Sequence, residues 1–328
     1  MVLAFSMPTL NRLFTIELSL ARLLGITGTS AGRGGSTNTA CSKSIIIAHP
    51  VSSLQSTLAP RTLVLPPPSL ESALVFFLKS PPEPNVESAQ IKKLGEKARL
   101  AFSVEEPILK RLGDHPRIVQ YVGKQNRGIL LGEASHGNLQ AYLDAENSSI
   151  SIYQRKRWCR QAAEAVAYIH SRGVIRADMR PENFLVHKRS PGCLELLLCD
   201  FGGATCGKLA LDGNQLPDGP FYDPTQGIDR SPALDIFSLG SVFYTILTGL
   251  WPYRSLGGFF GSVEEMIDYN CKVDGFFRQK QYPSVAGLIG GNIILDCGTK
   301  RHRTAEEVLQ AWDRELMDNG DEKTETCS

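Results

Sequence analysis

Apolar residues recur at helical spacing over two long stretches and gather into short runs elsewhere. From Tyr153 to His170, Trp158, Ala162, Ala165, Val166 and Ile169 share one face, and Gly173 stops the pattern. After Ser231 the helix pattern is apolar nearly all round, through Ile236, Phe237, Leu239, Val242, Phe243, Ile246 and Leu247, which predicts a buried helix. Ser231 stands at its N-cap, Pro232 at the favoured first position, and Gly249 and Pro252 end it. The acid Asp235 inside such a helix needs partners. Residues of about 88–112 also read as helical, weakened at Pro107, and Asn138–Leu143 as a short helix. Thr304-Ala305-Glu306-Glu307 is a capping-box pattern that opens a last helix packed through Val308, Leu309 and Trp312. Shorter runs predict strands at Leu74–Lys79, Ile118–Val122 and Gly128–Leu131, and a hairpin of Phe184–Val186 with Leu194–Cys199 through Pro191-Gly192. Strands cluster early and helices late, which predicts an α+β protein in two lobes.

Composition narrows the function. The chain has 328 residues, enough for one large domain or two. A formal net charge of +1 excludes a nucleic-acid binder that works by bulk charge. The eight cysteines show no C-x-x-C spacing, so a zinc or redox signature is missing. They read as reduced thiols of a cytoplasmic or nuclear protein. No run reaches the roughly 18 apolar residues of a membrane helix, so no integral membrane segment is expected. Residues 1–60 are rich in Ser, Thr, Gly and Leu, carry Arg12, Arg22, Arg33 and Lys43, and hold one acid, Glu17. That composition fits a mitochondrial presequence, or an extension outside the folded domain. Pro60, Pro66, Pro67 and Pro68 mark the boundary, with a domain expected over 61–316 and a tail over 317–328.

The chemistry concentrates in residues 176–202. Arg176-Ala177-Asp178-Met179-Arg180-Pro181-Glu182-Asn183 sets an Asn five residues after an Asp, and Asp200-Phe201-Gly202 follows a strand-turn-strand pattern. Phosphoryl transfer needs one carboxylate near the acceptor hydroxyl, and a second carboxylate with an amide oxygen to hold Mg²⁺ on the phosphates. The order of these groups, with His115-Pro116-Arg117-Ile118-Val119 and Asp235-Ile236-Phe237-Ser238-Leu239-Gly240, resembles the protein kinase superfamily from about residue 74 to 316. The wording around residues 111–119 and 180–185 resembles a large group of fungal kinase-like proteins.

The resemblance implies a bilobal fold with a small, mainly-β N-lobe over about 61–132, a hinge at 133–137, and a larger, mainly-α C-lobe over 138–316. It implies ATP and Mg²⁺ as cofactors, and a protein substrate phosphorylated on Ser or Thr. Asp178 would be the catalytic base. Asn183 and Asp200 would hold the metal. Arg180, where many kinases carry Lys, would neutralise the transferring group. Lys79 would grip the phosphates, paired with Glu105 or its neighbour Glu106. The Glu133 carbonyl and Ser135 amide would meet adenine, with Gly132 at the gatekeeper position opening a back pocket. The Asp of the central C-lobe helix, here Asp235, would hold the backbone of the catalytic loop.

Several departures keep a second reading open, a pseudokinase acting as a nucleotide-binding or interaction scaffold. Residues 55–70, where the Gly-rich loop should lie, contain no glycine, and Gly32-Arg33-Gly34-Gly35-Ser36 stands far upstream. Arg176 replaces the His that normally braces the catalytic loop against D-F-G. Ala177 replaces the Arg that binds an activation-loop phosphate. Asp223-Pro224-Thr225 replaces A-P-E, which removes the usual Glu–Arg bridge.

Overall fold

A computed structural model describes residues 43–48, 74–79, 89–125, 128–190, 193–255 and 257–318. Four strands open the fold: β1 (Lys43–Ala48), β2 (Leu74–Lys79), β3 (Tyr121–Gln125) and β4 (Gly128–Gly132). They form one antiparallel sheet in the order β1-β2-β4-β3. β1 pairs with β2 along its full length, from Lys43 opposite Lys79 to Ala48 opposite Leu74. The sheet therefore begins inside residues 1–60, which composition assigned to an extension. The β-branched run Ile45-Ile46-Ile47 is the local reason, since such residues favour a pleated backbone. Gly32–Ser36 lies outside the described residues.

Helix α1 (Ala89–Leu112) runs unbroken past Pro107. Its Val104, Ile108, Leu109 and Leu112 are buried in the core, along with Ile129 and Leu131 of β4. Strand alternation buries Ile129 and Leu131, while Gly132 turns the other way. A Cβ on Gly132 would lie 3.2 Å from the Gln120 side chain. The back pocket expected at Gly132 is thus not open on that side, and Leu131 is the buried side chain of this strand end.

The second lobe is mainly helical. It holds α2 (Leu139–Glu146), α3 (Ile152–Ser171), α4 (Pro232–Thr248), α5 (Val263–Arg278), α6 (Gly291–Gly298) and α7 (Ala305–Asp318). The hairpin β5 (Phe184–Ser190) and β6 (Cys193–Leu198) lies beside α3. α4 is buried almost all round, as its pattern predicts, and ends on Gly249 at φ 76°, a left-handed turn that Gly adopts without steric cost. Ser231 occupies its N-cap position without capping through its side chain; its Oγ accepts instead from Gln226 Nε2 at 2.7 Å. The capping box of α7 forms: the Glu307 amide donates to Thr304 Oγ1 at 3.2 Å, and Glu307 Oε2 accepts from the Arg303 amide at 2.6 Å. Trp312 of α7 packs edge-on against Phe243 of α4 at 5.3 Å between ring centres.

Cys159, Cys199, Cys206, Cys271 and Cys297 are free. Cys193 is disulfide-bonded, against the expectation of reduced thiols throughout. Among the described residues no helix is long and apolar enough to cross a membrane.

Candidate active site

The two lobes bring together residues far apart in sequence. Lys79 closes β2, Glu105 sits midway along α1, and Asp200 follows β6. The Lys79 Nζ lies 2.7 Å from Glu105 Oε2 and 2.7 Å from Asp200 Oδ1. Glu105 is fully buried, and its other oxygen, Oε1, accepts from the Phe201 amide at 3.3 Å. One carboxylate thus joins the strand, the helix and the D-F-G turn. Glu106 points elsewhere, accepting from Lys110 Nζ at 2.8 Å and Lys124 Nζ at 3.3 Å, so the sequence alternatives resolve in favour of Glu105 as the partner of Lys79. The turn also packs closely on α1. A Cβ on Gly202 would lie 2.8 Å from that of Ala101, closer than real side chains come, so only glycine permits this contact.

These contacts set the charges. Burial opposes ionisation of Asp200, but Lys79 and Arg176 outweigh it and hold the carboxyl well below its ordinary range. Burial likewise opposes the Lys79 charge, and Asp200 and Glu105 outweigh it, so its pKa is raised. Burial pushes Glu105 up, with Lys79 opposing. The Asp200 side chain keeps 51% of its surface open.

The loop between α3 and β5 carries the second group. Asp235 of α4 accepts from the Arg176 amide at 2.8 Å and the Ala177 amide at 2.9 Å, and from His170 Nε2 at 2.9 Å. That satisfies the buried acid and fixes the loop, with Ala177 held at φ 58°. Asp178 is 5% exposed. Its Oδ1 accepts from Arg180 Nε at 2.8 Å, and its Oδ2 from Gln215 Nε2 at 2.8 Å. Arg180 Nη2 reaches on to Asp218 Oδ1 at 2.6 Å. Asn183 Nδ2 donates to the Asp178 carbonyl at 2.7 Å, which leaves its amide oxygen as the end available to a cation. The Cys199 amide donates to the Asn183 carbonyl at 2.9 Å and so ties this loop to the residue before Asp200.

Two departures from the kinase pattern are filled in other ways. Arg176 is 1% exposed, its Nε donates to the Cys199 carbonyl at 3.4 Å, and its guanidinium sits 5.9 Å from the Phe201 ring. It therefore spans catalytic loop and D-F-G, as the missing His would. Asp223 pairs with Lys300 Nζ at 2.5 Å, so a carboxylate–cation bridge does form beside Pro224, from the residue before that proline and not from the residue after it, where A-P-E has its Glu. Glu133 and Ser135 lie exposed on the linker from β4 to α2, where Ser135 Oγ accepts from the Lys188 amide at 2.7 Å. Sequence reasoning missed Gln215 and Asp218. Arg180, a buried fork with more donors than Asp178 can satisfy, was the available signal for Asp218; Gln215 carried none.

The protein kinase domain model matches residues 86–288, more than half of the chain. The chain belongs to the protein kinase family. Among similar kinases, serine/threonine-protein kinase PKH3 of Eremothecium gossypii is 28% identical over 220 residues, covering 62% of this chain and 29% of that protein. Rat 3-phosphoinositide-dependent protein kinase 1 is 28% identical over 211 residues, covering 60% and 35%. Human serine/threonine-protein kinase SBK2 is 31% identical over 159 residues, covering 43% of each. The alignments thus span less than half of each of these relatives. Membership of the family makes the convergence of Lys79, Glu105 and Asp200 the feature to explain, since the Lys–Glu pair and the D-F-G Asp must both be in place for phosphoryl transfer.

Proposed function

We propose that this kinase-family chain transfers the γ-phosphoryl group of ATP to a Ser or Thr hydroxyl of a protein. The observation that supports it most is the Lys79–Glu105–Asp200 cluster, two contacts of 2.7 Å around one ammonium. Lys79 is placed to bind the α- and β-phosphates. Asp200 and the Asn183 amide oxygen are hard oxygen donors of the kind Mg²⁺ prefers. When bound there, Mg²⁺ neutralises charge that develops on the phosphates. Adenine fits along the backbone of the linker near Gly132–Ser135.

Asp178 then accepts a hydrogen bond from the acceptor hydroxyl and takes its proton as that oxygen attacks the γ-phosphorus. The bond from that phosphorus to the β-phosphate oxygen breaks, and ADP leaves with the electron pair. Arg180 orients Asp178 through Oδ1 and places a fixed positive charge beside the transferring group. A scaffold reading without turnover is favoured, beside the sequence departures, by the Gln215 amide on the remaining Asp178 oxygen. Incubation with Mg²⁺ and γ-labelled ATP, alone and with a mixture of Ser/Thr peptides, separates the two. Label transferred to protein or peptide supports catalysis; binding of Mg·ATP with no transfer supports the scaffold.

A further inference from the structure

Both oxygens of the Asp178 carboxylate accept hydrogen bonds from within the chain. With Oδ1 of Asp178 held by Arg180 and the residue nearly buried, Oδ2 is the oxygen left for an acceptor hydroxyl, and the Gln215 side chain donates to it at 2.8 Å. We propose that Gln215 is an intrasteric gate that occupies the acceptor's place on Asp178 and must swing out before a substrate hydroxyl can reach the base. This inference rests on the reading of Asp178 as the base.

The surrounding residues fit a built contact. The Gly213 amide donates to the Ala204 carbonyl at 2.9 Å, which lays segment 212–215 across the D-F-G turn. A Cβ on Gly213 would lie 2.2 Å from the Gly202 carbonyl oxygen, and one on Gly203 would lie 2.4 Å from Gln215 Oε1. Side chains at either position would expel the segment. Arg230 clamps it from the far side: its Nε donates to the Gln215 carbonyl at 3.2 Å, Nη1 to Asp212 Oδ2 at 3.3 Å, and Nη2 to Asn214 Oδ1 at 2.8 Å. The Asp212 side chain is half exposed, so this clamp is solvent-screened and weak enough to open. The usual release, phosphorylation of a loop hydroxyl, has little to act on. Thr205 Oγ1 already donates to the Leu211 carbonyl at 3.0 Å, and the Tyr222 hydroxyl to the Gly227 carbonyl at 2.8 Å. Competition by the acceptor itself replaces it.

The test compares the parent chain with Gln215→Ala, Gln215→Glu and Arg230→Ala. Each is given Mg·ATP and a mixture of peptides with a central Ser or Thr, and nucleotide binding is followed by the shift in melting temperature. The gate predicts a rise of tenfold or more in phosphorylation for Gln215→Ala. Gln215→Glu, nearly isosteric but anionic against Asp178, should give at least as large a rise. Arg230→Ala, remote from the chemistry, should give a smaller one, and it keeps the test valid if the Gln215 variants fold poorly. The nucleotide-induced shift should be the same in all four. Equal rates in parent and variants overturn the gate and leave the kinase reading standing. A lower rate in Gln215→Ala also overturns it, since the amide would then be orienting the base. No transfer by any of the four, with Mg·ATP bound to each, overturns the kinase reading and the gate together.

Discussion

Single side chains decide the electrostatics of this site. Lys79 pairs with two carboxylates at once, and Asp200 stays anionic because that ammonium and Arg176 lie close by. Asp200→Asn should therefore weaken binding of Mg·ATP by tenfold or more, read as a reduced melting shift with Mg·ATP. Glu182 behaves in the opposite way. Burial lifts it from 4.5 to about 6 against the pull of Arg180, and its Oε2 is buried without a partner. Between those two values the folded chain keeps a proton that the unfolded chain has released, so stability falls as pH rises through that window. Glu182→Gln should be more stable than the parent at pH 7.5 by up to about 2 kcal/mol, at 1.36 kcal/mol per pH unit. The two melting temperatures should converge below pH 4.5, and a constant difference across pH would refute the assignment. At this scale the meeting of Lys79, Glu105 and Asp200, and of Asn183 with Asp178, was legible in the sequence because their spacing follows one family pattern. Arg176 looked like a defect there. Its length, which lets it reach the Cys199 carbonyl at 3.4 Å, is a property of the fold that no motif displays.

Helix α4 shows what the elements add. Its apolar pattern predicts burial, and burial is what makes Asp235 matter: the buried carboxylate caps two amides of the catalytic loop and the His170 ring. Asp235→Ala should destabilise the chain by about 3–5 kcal/mol, since it strips buried donors of a charged partner. It should also lower phosphorylation more than nucleotide binding, because the loop it releases carries Asp178. A melting temperature within a degree of the parent would contradict this role. Strand β1 was the element least legible in sequence. Composition over residues 1–60 masked the short run Ile45-Ile46-Ile47, and a strand is specified by the partner it pairs with as much as by its own residues. Gly132 was misread for a related reason, as alternation along β4 turns Leu131 inward in its stead. Deleting residues 1–60 removes the β1 ladder beside Lys79 and should lower the melting temperature by several degrees. An unchanged value would mean that β1 contributes nothing to the sheet.

The whole molecule works as a device for juxtaposition. A four-stranded sheet supplies Lys79, a single helix supplies Glu105, and the helical lobe supplies Asp178, Asn183 and Asp200 on loops fixed from below by Asp235. The order of strands and helices foretold two lobes, and the motifs foretold which loops meet between them. The segment that crosses the site, with Gln215 on Asp178, belongs to the three-dimensional packing of Gly203, Gly213 and Arg230 and had no counterpart in any spacing. The central claim is that Asp178 is the base for phosphoryl transfer from nucleotide held by Lys79 and Asp200. The most direct test measures transfer of label from γ-labelled Mg·ATP and nucleotide binding together, in the parent chain and in Asp178→Asn. The account predicts that Asp178→Asn loses at least a hundredfold in transfer, the order expected for a general base, while its melting shift with Mg·ATP stays within a degree of the parent's. Equal transfer by the two proteins would contradict it.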